Sequence, residues 1–134
     1  MKAIDIPFVE LVGVKQSENE LSLAYKKDVQ NHLQTIHASA QFTLAETASG
    51  LCLEHTFPEI KDVIPLLRDS SMQYKKPALQ EIVAYAVVKD EEKEKFLQQF
   101  HRKSRATISV DVEIKGRDGL YIAKGTFRWF ISKI

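Results

Sequence analysis

Between Ala38 and Leu53 the chain runs for sixteen residues in which Glu46 is the only charge. The surrounding stretch, HASAQFTLAETASGLCLE from His37 to Glu54, is rich in Ala and Leu and contains no proline. It predicts one helix over 37–54, closed off by Pro58. A helix that is apolar on nearly every side belongs inside a protein rather than on its surface. Its flanks are small, with Ala38, Ser39, Ala40, Ala45, Ala48, Ser49 and Gly50, so another backbone can approach it closely. Such a helix needs wrapping by a curved sheet, and a second subunit could complete the cover.

The rest of the chain supplies that sheet. Hydrophobic residues make up 44% of 134, enough for one core, and a single domain over 1–134 is expected. Pro7 to Leu11 suits a short helix, with proline in its first turn. Val12 to Gln16 and Leu21 to Tyr25 read as strand pieces about a polar turn, and residues 26–36 read as a loop. Val63 to Tyr74 is a strand in which Pro65 argues for an edge or a bulge. Leu79 to Val88 is a second, dense in β-branched and aromatic residues. Asp90 is placed as the cap of a charged helix from Glu91 to Lys103 with an apolar stripe of Phe96, Leu97 and Phe100. Thr107 to Ile114 alternates apolar and polar, as a half-buried strand does. A turn at Gly116-Arg117-Asp118-Gly119 leads into a last strand from Leu120 to Ile131, with Ala123, Gly125, Phe127, Trp129 and Ile131 on one face. The fold class is α+β.

Composition excludes several functions. The single cysteine allows no disulfide framework and no cysteine-built zinc site. Histidines 32, 37, 55 and 101 form no recognisable ligand set, so neither a metal nor any other cofactor is expected. Nineteen basic against eighteen acidic residues give net +1, no field for nucleic acid or an anionic membrane. No apolar run is long enough to span a bilayer. The stretch Met1-Lys2-Ala3-Ile4-Asp5-Ile6-Pro7 does not read as a signal peptide. Together these features suit a cytoplasmic protein.

The helix holds the chemistry. Burying the Glu46 carboxylate is costly unless it is hydrogen-bonded or neutralised. Either it bonds a local hydroxyl such as Thr43 or Thr47, or it is a catalytic acid with a raised pKa. The approach to the helix, Asn31 to Ser39, is polar. His37 falls at the helix start, where it could simply cap. The free N–H groups of Ala38 and Ser39 would point out of that end, a ready site for an oxyanion or carbonyl. Asn31 adds a carboxamide nearby. Cys52 reads as a core thiol, and no Gly-x-Ser-x-Gly elbow is present. Trp129, Phe127 and Phe130 read as core or interface, or as the wall of an acyl pocket.

The order Asn31, Thr35-Ile36-His37-Ala38-Ser39 and Leu44-Ala45-Glu46-Thr47-Ala48 resembles the hotdog-fold acyl-CoA thioesterases of the phenylacetyl-CoA thioesterase type. That family pairs Asn with a His-Gly-Gly and, further on, an acid in Leu-Ala-Asp/Glu-Thr-Ala. Tyr74 with Lys76-Pro77-Ala78 is similar to the end of one of its strands, and the resemblance covers about residues 7–132. Both family glycines are replaced, by Ala38 and Ser39, which stay small and keep their N–H. Residues 89–104 look like an added helix.

The resemblance implies a hotdog fold, acyl-CoA as substrate, and domains paired with helices adjacent and sheets continuous. The expected catalytic set is Glu46, Asn31, His37 and Ala38, with Ser39, Ser49, Tyr74 and Lys76 as substrate contacts. Geometry independently demands two helices. Ala38 and Glu46 are eight residues apart, about 12 Å at roughly 1.5 Å per residue, so one thioester carbon cannot touch both groups of one helix. A homodimer or a dimer of dimers follows. The rivals are a non-catalytic acyl-CoA-binding hotdog protein and a hotdog hydratase or dehydratase; the latter usually has a Gln shortly after the helix acid, which Thr47 to Gly50 do not offer.

Overall fold

The computed structural model describes residues 3–134. Met1 and Lys2, which begin the stretch read above for a signal peptide, lie outside the described residues. A 3-10 turn at Ala3–Asp5 precedes α1 (Pro7–Val12), β1 (Lys15–Ser17), β2 (Glu20–Leu23) and α2 (Ala38–Thr56). β3 (Val63–Tyr74), β4 (Ile82–Val87), α3 (Asp90–Lys103), β5 (Arg105–Gly116) and β6 (Tyr121–Lys133) complete the order. The strands form one antiparallel sheet in the order β1-β2-β4-β5-β6-β3.

The long helix lies against β2, β4, β5 and β6. Leu44 and Ala45 are wholly buried, and the Phe42 ring meets Phe127 of β6 at 5.3 Å. Small residues at 45, 48 and 49 allow this approach, as their sizes suggest. The helix ends at Thr56, where Phe57 leaves helical geometry because Pro58 disfavours it in the residue before. α1 stops one residue later than expected, at Gly13, whose φ of 93° lies in the left-handed region that a glycine adopts freely.

β1 and β2 are shorter than the pattern suggests, and β4 begins only at Ile82. β2 ends at Leu23, and residues 26–36 carry a 3-10 turn at Lys27–Val29 and one isolated bridge between Gln30 and Ile36. β3 is the outermost strand, where the missing N–H of Pro65 is tolerated, and its register shifts between Leu67 and Asp69. Asp90 does not cap α3. Lys89 occupies that position without a side-chain bond, and Asp90 opens the helix, followed by Glu91 and Glu92. Acids in a first turn are favoured there by the helix dipole.

α3 closes a gap in the sheet. β4 pairs only with Asp111 to Gly116 of β5, leaving the first half of β5 without a strand on that side. α3 takes the strand's place: Glu92 accepts a 2.8 Å hydrogen bond from the Ser109 N–H, and Gln99 accepts one of 3.4 Å from Thr107. A half-open edge is thereby sealed. Phe96, wholly buried, anchors the helix between Phe57 and Phe100, with ring centroids 4.9 and 5.4 Å away.

Candidate functional site

One group of residues collects at the start of α2. His37 is the N-cap, and its Nδ1 accepts a 2.9 Å hydrogen bond from the Ser39 N–H. The Ser39 N–H is therefore engaged, which corrects the expectation of two free amides. The Ala38 N–H, first in the helix, has no partner among the described residues. His37 is itself exposed and keeps its other ring nitrogen outside the cap.

Three backbone bonds fix this corner: His37 N–H to Val29 carbonyl (2.8 Å), Ile36 N–H to Ala78 carbonyl (2.9 Å), and Asn31 N–H to Thr35 carbonyl (2.9 Å). The Asn31 side chain organises the loop. Its Oδ1 accepts from the N–H groups of Leu33 and Thr35, and its Nδ2 donates to Thr35 Oγ1 at 2.8 Å. Tyr74, at the end of β3, donates from its hydroxyl to the Ala38 carbonyl at 3.3 Å. Burial raises the Tyr74 pKa. Lys76 follows with an exposed side chain, while its N–H donates to the Ile122 carbonyl at 3.1 Å. Asn31, His37, Ala38, Ser39, Tyr74 and Lys76 thus share one region, although thirty-six residues separate Ala38 from Tyr74.

Glu46 and Ser49 lie farther along the helix. Ser49 is wholly buried; its Oγ donates to the Glu46 carbonyl at 2.7 Å and accepts from Trp129 Nε1 at 2.9 Å. In this chain it orients the indole and meets no solvent. The hydroxyls of Thr43 and Thr47 donate to the carbonyls of Ser39 and Thr43. Neither reaches the Glu46 carboxylate, so the local-hydroxyl reading of that residue fails. The carboxylate has no side-chain partner among the described residues, and burial pushes its pKa up.

Glu46 faces a cavity of about 820 Å³. Its walls come from α2, from Pro65 and Leu67 of β3, from Trp129 and Ile131 of β6, and from Ile6 and Phe8 before and in α1. Sequence reading missed this half-open cavity, because its walls are far apart in the chain; of Trp129, Phe127 and Phe130, read above as a pocket wall, Trp129 lines it. It also missed Gln41. This residue is almost wholly buried; its Nε2 donates to the Ile36 carbonyl at 3.0 Å and its Oε1 has no partner among the described residues. A lone carboxamide in an apolar helix was the available signal. Among the described residues no group of three possible metal ligands assembles, and no helix is long and apolar enough to cross a membrane.

A long central helix clasped by one antiparallel sheet, with a carboxylate at mid-helix facing a cavity, defines a hotdog-fold protein. Residues 4–131 match the family described as "Domain of unknown function (DUF4442)", and the chain belongs to that family. No curated protein matches it. Solved structures share its fold. PA5026 from Pseudomonas aeruginosa, named a protein of unknown function and "Probable Thioesterase", is 19% identical; the match spans 98% of this chain and 91% of that one at a TM-score of 0.80. OLEI01261 from Chlorobaculum tepidum, of unknown function, is 20% identical over 97% of this chain and 88% of its own, with a TM-score of 0.81. BH2602 from Bacillus halodurans, solved with CoA, is 20% identical over 92% and 74%, with a TM-score of 0.71.

Proposed function

We propose that this protein hydrolyses acyl thioesters, with acyl-CoA as substrate. The observation that carries the reading is Glu46: a carboxylate without a partner, held above its ordinary pKa by burial, at the wall of a large and mostly apolar cavity. The carboxylate is half-buried beside that cavity and is not engaged by the hydroxyls of Thr43 and Thr47 on its own helix. One poised against a cavity is suited to chemistry. The name of PA5026 and the CoA held by BH2602 agree with it. The single free thiol, Cys52, fits the reducing cytoplasm, where CoA esters are used.

In the proposed reaction the thioester carbonyl oxygen accepts from the Ala38 N–H of one subunit. Glu46 of the second subunit acts on the carbonyl carbon. As a general base it takes a proton from water, the resulting hydroxide attacks, and the C–S bond breaks as the proton passes to the CoA sulfur. As a nucleophile it attacks the carbonyl carbon, the C–S bond breaks with CoA leaving as the thiolate, and water then cleaves the resulting anhydride to free acid and Glu46 carboxylate. Asn31 and His37 shape the oxyanion corner, and Ser39, Tyr74 and Lys76 border it.

Two subunits meet through β3 in this reading. β3 is twelve residues long and outermost, pairs only with β6, and leaves Ile64 and Leu66 about half exposed. A long, partly apolar edge of this kind is a template for pairing with another strand. Edge-to-edge pairing of two copies makes the sheets continuous and sets their α2 helices side by side, as a dimer or as half of a dimer of dimers.

A hydrolysis screen over a panel of acyl-CoAs, followed as a pH profile, tests the activity. The reactive form of Glu46 is the carboxylate, and its pKa is raised. Activity is therefore expected to fall as the pH drops through a value above that of an ordinary glutamate. An acid limb at or below that value, or no turnover of any acyl-CoA, would overturn the assignment of Glu46.

A further inference from the structure

The geometry points to Gln41 and Tyr74 as positioning residues that hold the Ala38 N–H in a fixed direction at the start of α2. This inference rests on the thioesterase reading and deepens it. Both side chains act through the backbone that carries the proposed oxyanion donor, without touching the substrate.

The Ala38 N–H belongs to the peptide between His37 and Ala38, and the chain around it is pinned plane by plane. In the preceding peptide the Ile36 carbonyl accepts from Gln41 Nε2 at 3.0 Å, and the His37 N–H donates to the Val29 carbonyl at 2.8 Å. In the peptide itself the His37 carbonyl accepts from the N–H groups of Ala40 and Gln41, at 3.0 and 3.1 Å. In the following peptide the Ala38 carbonyl accepts from the Tyr74 hydroxyl at 3.3 Å, and the Ser39 N–H donates to His37 Nδ1 at 2.9 Å. Across these three planes the Ala38 N–H is the one backbone polar group without a partner among the described residues. A donor whose flanking planes are held needs no reorganisation when charge develops on a carbonyl oxygen.

Packing alone does not account for Gln41. It shares a helix face with Leu44 and Ala45, both wholly buried. Burying a carboxamide there with its Oε1 unpartnered is costly, and methionine would fill a similar space without that cost. What the glutamine adds is the Nε2 donor to the Ile36 carbonyl, five residues back along the chain. Tyr74 reaches the same turn from the end of β3. Its hydroxyl is engaged by the Ala38 carbonyl, so the ring acts as a clamp on the first residue of the helix. One clamp therefore comes from within α2 and the other from across the fold, and they grip the planes on either side of the donor.

Tyr74→Phe and Gln41→Met each remove one donor and keep most of the side chain. Tyr25→Phe is the control, because its hydroxyl donates to the Gln34 carbonyl in the loop before α2 and touches none of the three planes. In the full-length, isotope-labelled protein the Ala38 amide resonance is followed by NMR. The probes are ketone analogues of acetyl- and octanoyl-CoA, in which a methylene replaces the sulfur; they offer a carbonyl and cannot be hydrolysed. A ketone is expected to shift the Ala38 resonance in the parent and in Tyr25→Phe, and to shift it less in Tyr74→Phe and Gln41→Met. In parallel, kcat and KM are measured on acyl-CoA. Each positioning variant is expected to lose about ten-fold in kcat with KM little changed, less than the roughly 10²–10³ of deleting an oxyanion donor outright. Tyr74→Phe keeps the test decisive if the buried Gln41→Met variant does not fold.

A raised KM at unchanged kcat in Tyr74→Phe would make Tyr74 a substrate contact and overturn its positioning role. Parental kcat and an undiminished ketone shift in both variants, or an equal loss in Tyr25→Phe, would overturn the inference and leave the thioesterase reading standing. A parent that hydrolyses acyl-CoA without any ketone response at Ala38 would do the same. A ketone shift at Ala38 that the two variants weaken, in a parent that hydrolyses no acyl-CoA, would sustain the positioned amide while removing the thioesterase reading.

Discussion

Glu46→Gln is expected to lower acyl-CoA hydrolysis by about 10²–10⁴-fold, the usual contribution of a positioned acid or base, while the protein stays folded. The replacement keeps the size of the side chain and removes its charge and its proton-accepting oxygen. The stability arm of the same experiment has a defined sign. Burial raises the Glu46 pKa in the folded state, so the folded protein holds that proton more tightly than the unfolded chain does. The ionised carboxylate therefore costs stability at neutral pH. That cost fades as the pH falls toward the unfolded chain's ordinary value. Glu46→Gln should be at least as stable as the parent at neutral pH and lose any advantage in acid. A variant that is inactive because it has unfolded would show the opposite, a lower Tm at neutral pH. Near-parental turnover on a good substrate would make Glu46 structural.

Phe96→Ala is expected to cause the largest loss of stability, about 3–5 kcal/mol for a large aromatic truncated in a closed core. The ring is wholly buried against Phe57 and Phe100. These contacts hold α3 where Glu92 and Gln99 can receive the N–H groups of Ser109 and Thr107. Losing the ring thus loosens a helix that stands in for a strand, and it uncovers half of an edge. Urea unfolding should show a lower midpoint. A loss under 1 kcal/mol would mean that α3 is only appended to the sheet and does not complete it.

The sequence spoke clearly where local periodicity and burial agree. The α2 helix was legible because Glu46 is alone among apolar and small residues, and its end, expected at residue 54 and found at Thr56, was legible to within two residues because Pro58 limits the residue before it. β5 was legible from strict alternation, and the edge position of β3 from Pro65. The shortness of β1 and β2 was not legible, because where a strand ends depends on its neighbour rather than on its own residues. The Asp90 cap was misplaced by one residue, since an acid suits both the cap and the first turn. At the candidate site, the spacing from Asn31 to His37 to Glu46 singled out residues of α2 and of the loop before it. It did not reveal that His37 uses its Nδ1 on Ser39, that Asn31 spends its carboxamide on the loop, or that Ser49 faces Trp129. Those are partnerships across the fold. The cavity, built from residues between Ile6 and Ile131, has no local signature at all.

The central claim is that each reaction site joins Glu46 of one subunit to the Ala38 N–H of another, and mixed dimers test it most directly. Ala38→Pro removes that N–H at the first helical position, where proline is tolerated. The preceding residue, His37, already has φ −59° and ψ 141°, a conformation compatible with a following proline. Each variant alone should be nearly inactive. A purified heterodimer of one Glu46→Gln subunit and one Ala38→Pro subunit should recover about half of the parental activity. One of its two sites pairs the intact Glu46 with the intact Ala38 N–H, and the other pairs both substitutions. No recovery in the heterodimer would show that both groups act within one subunit, contrary to the eight-residue separation along α2.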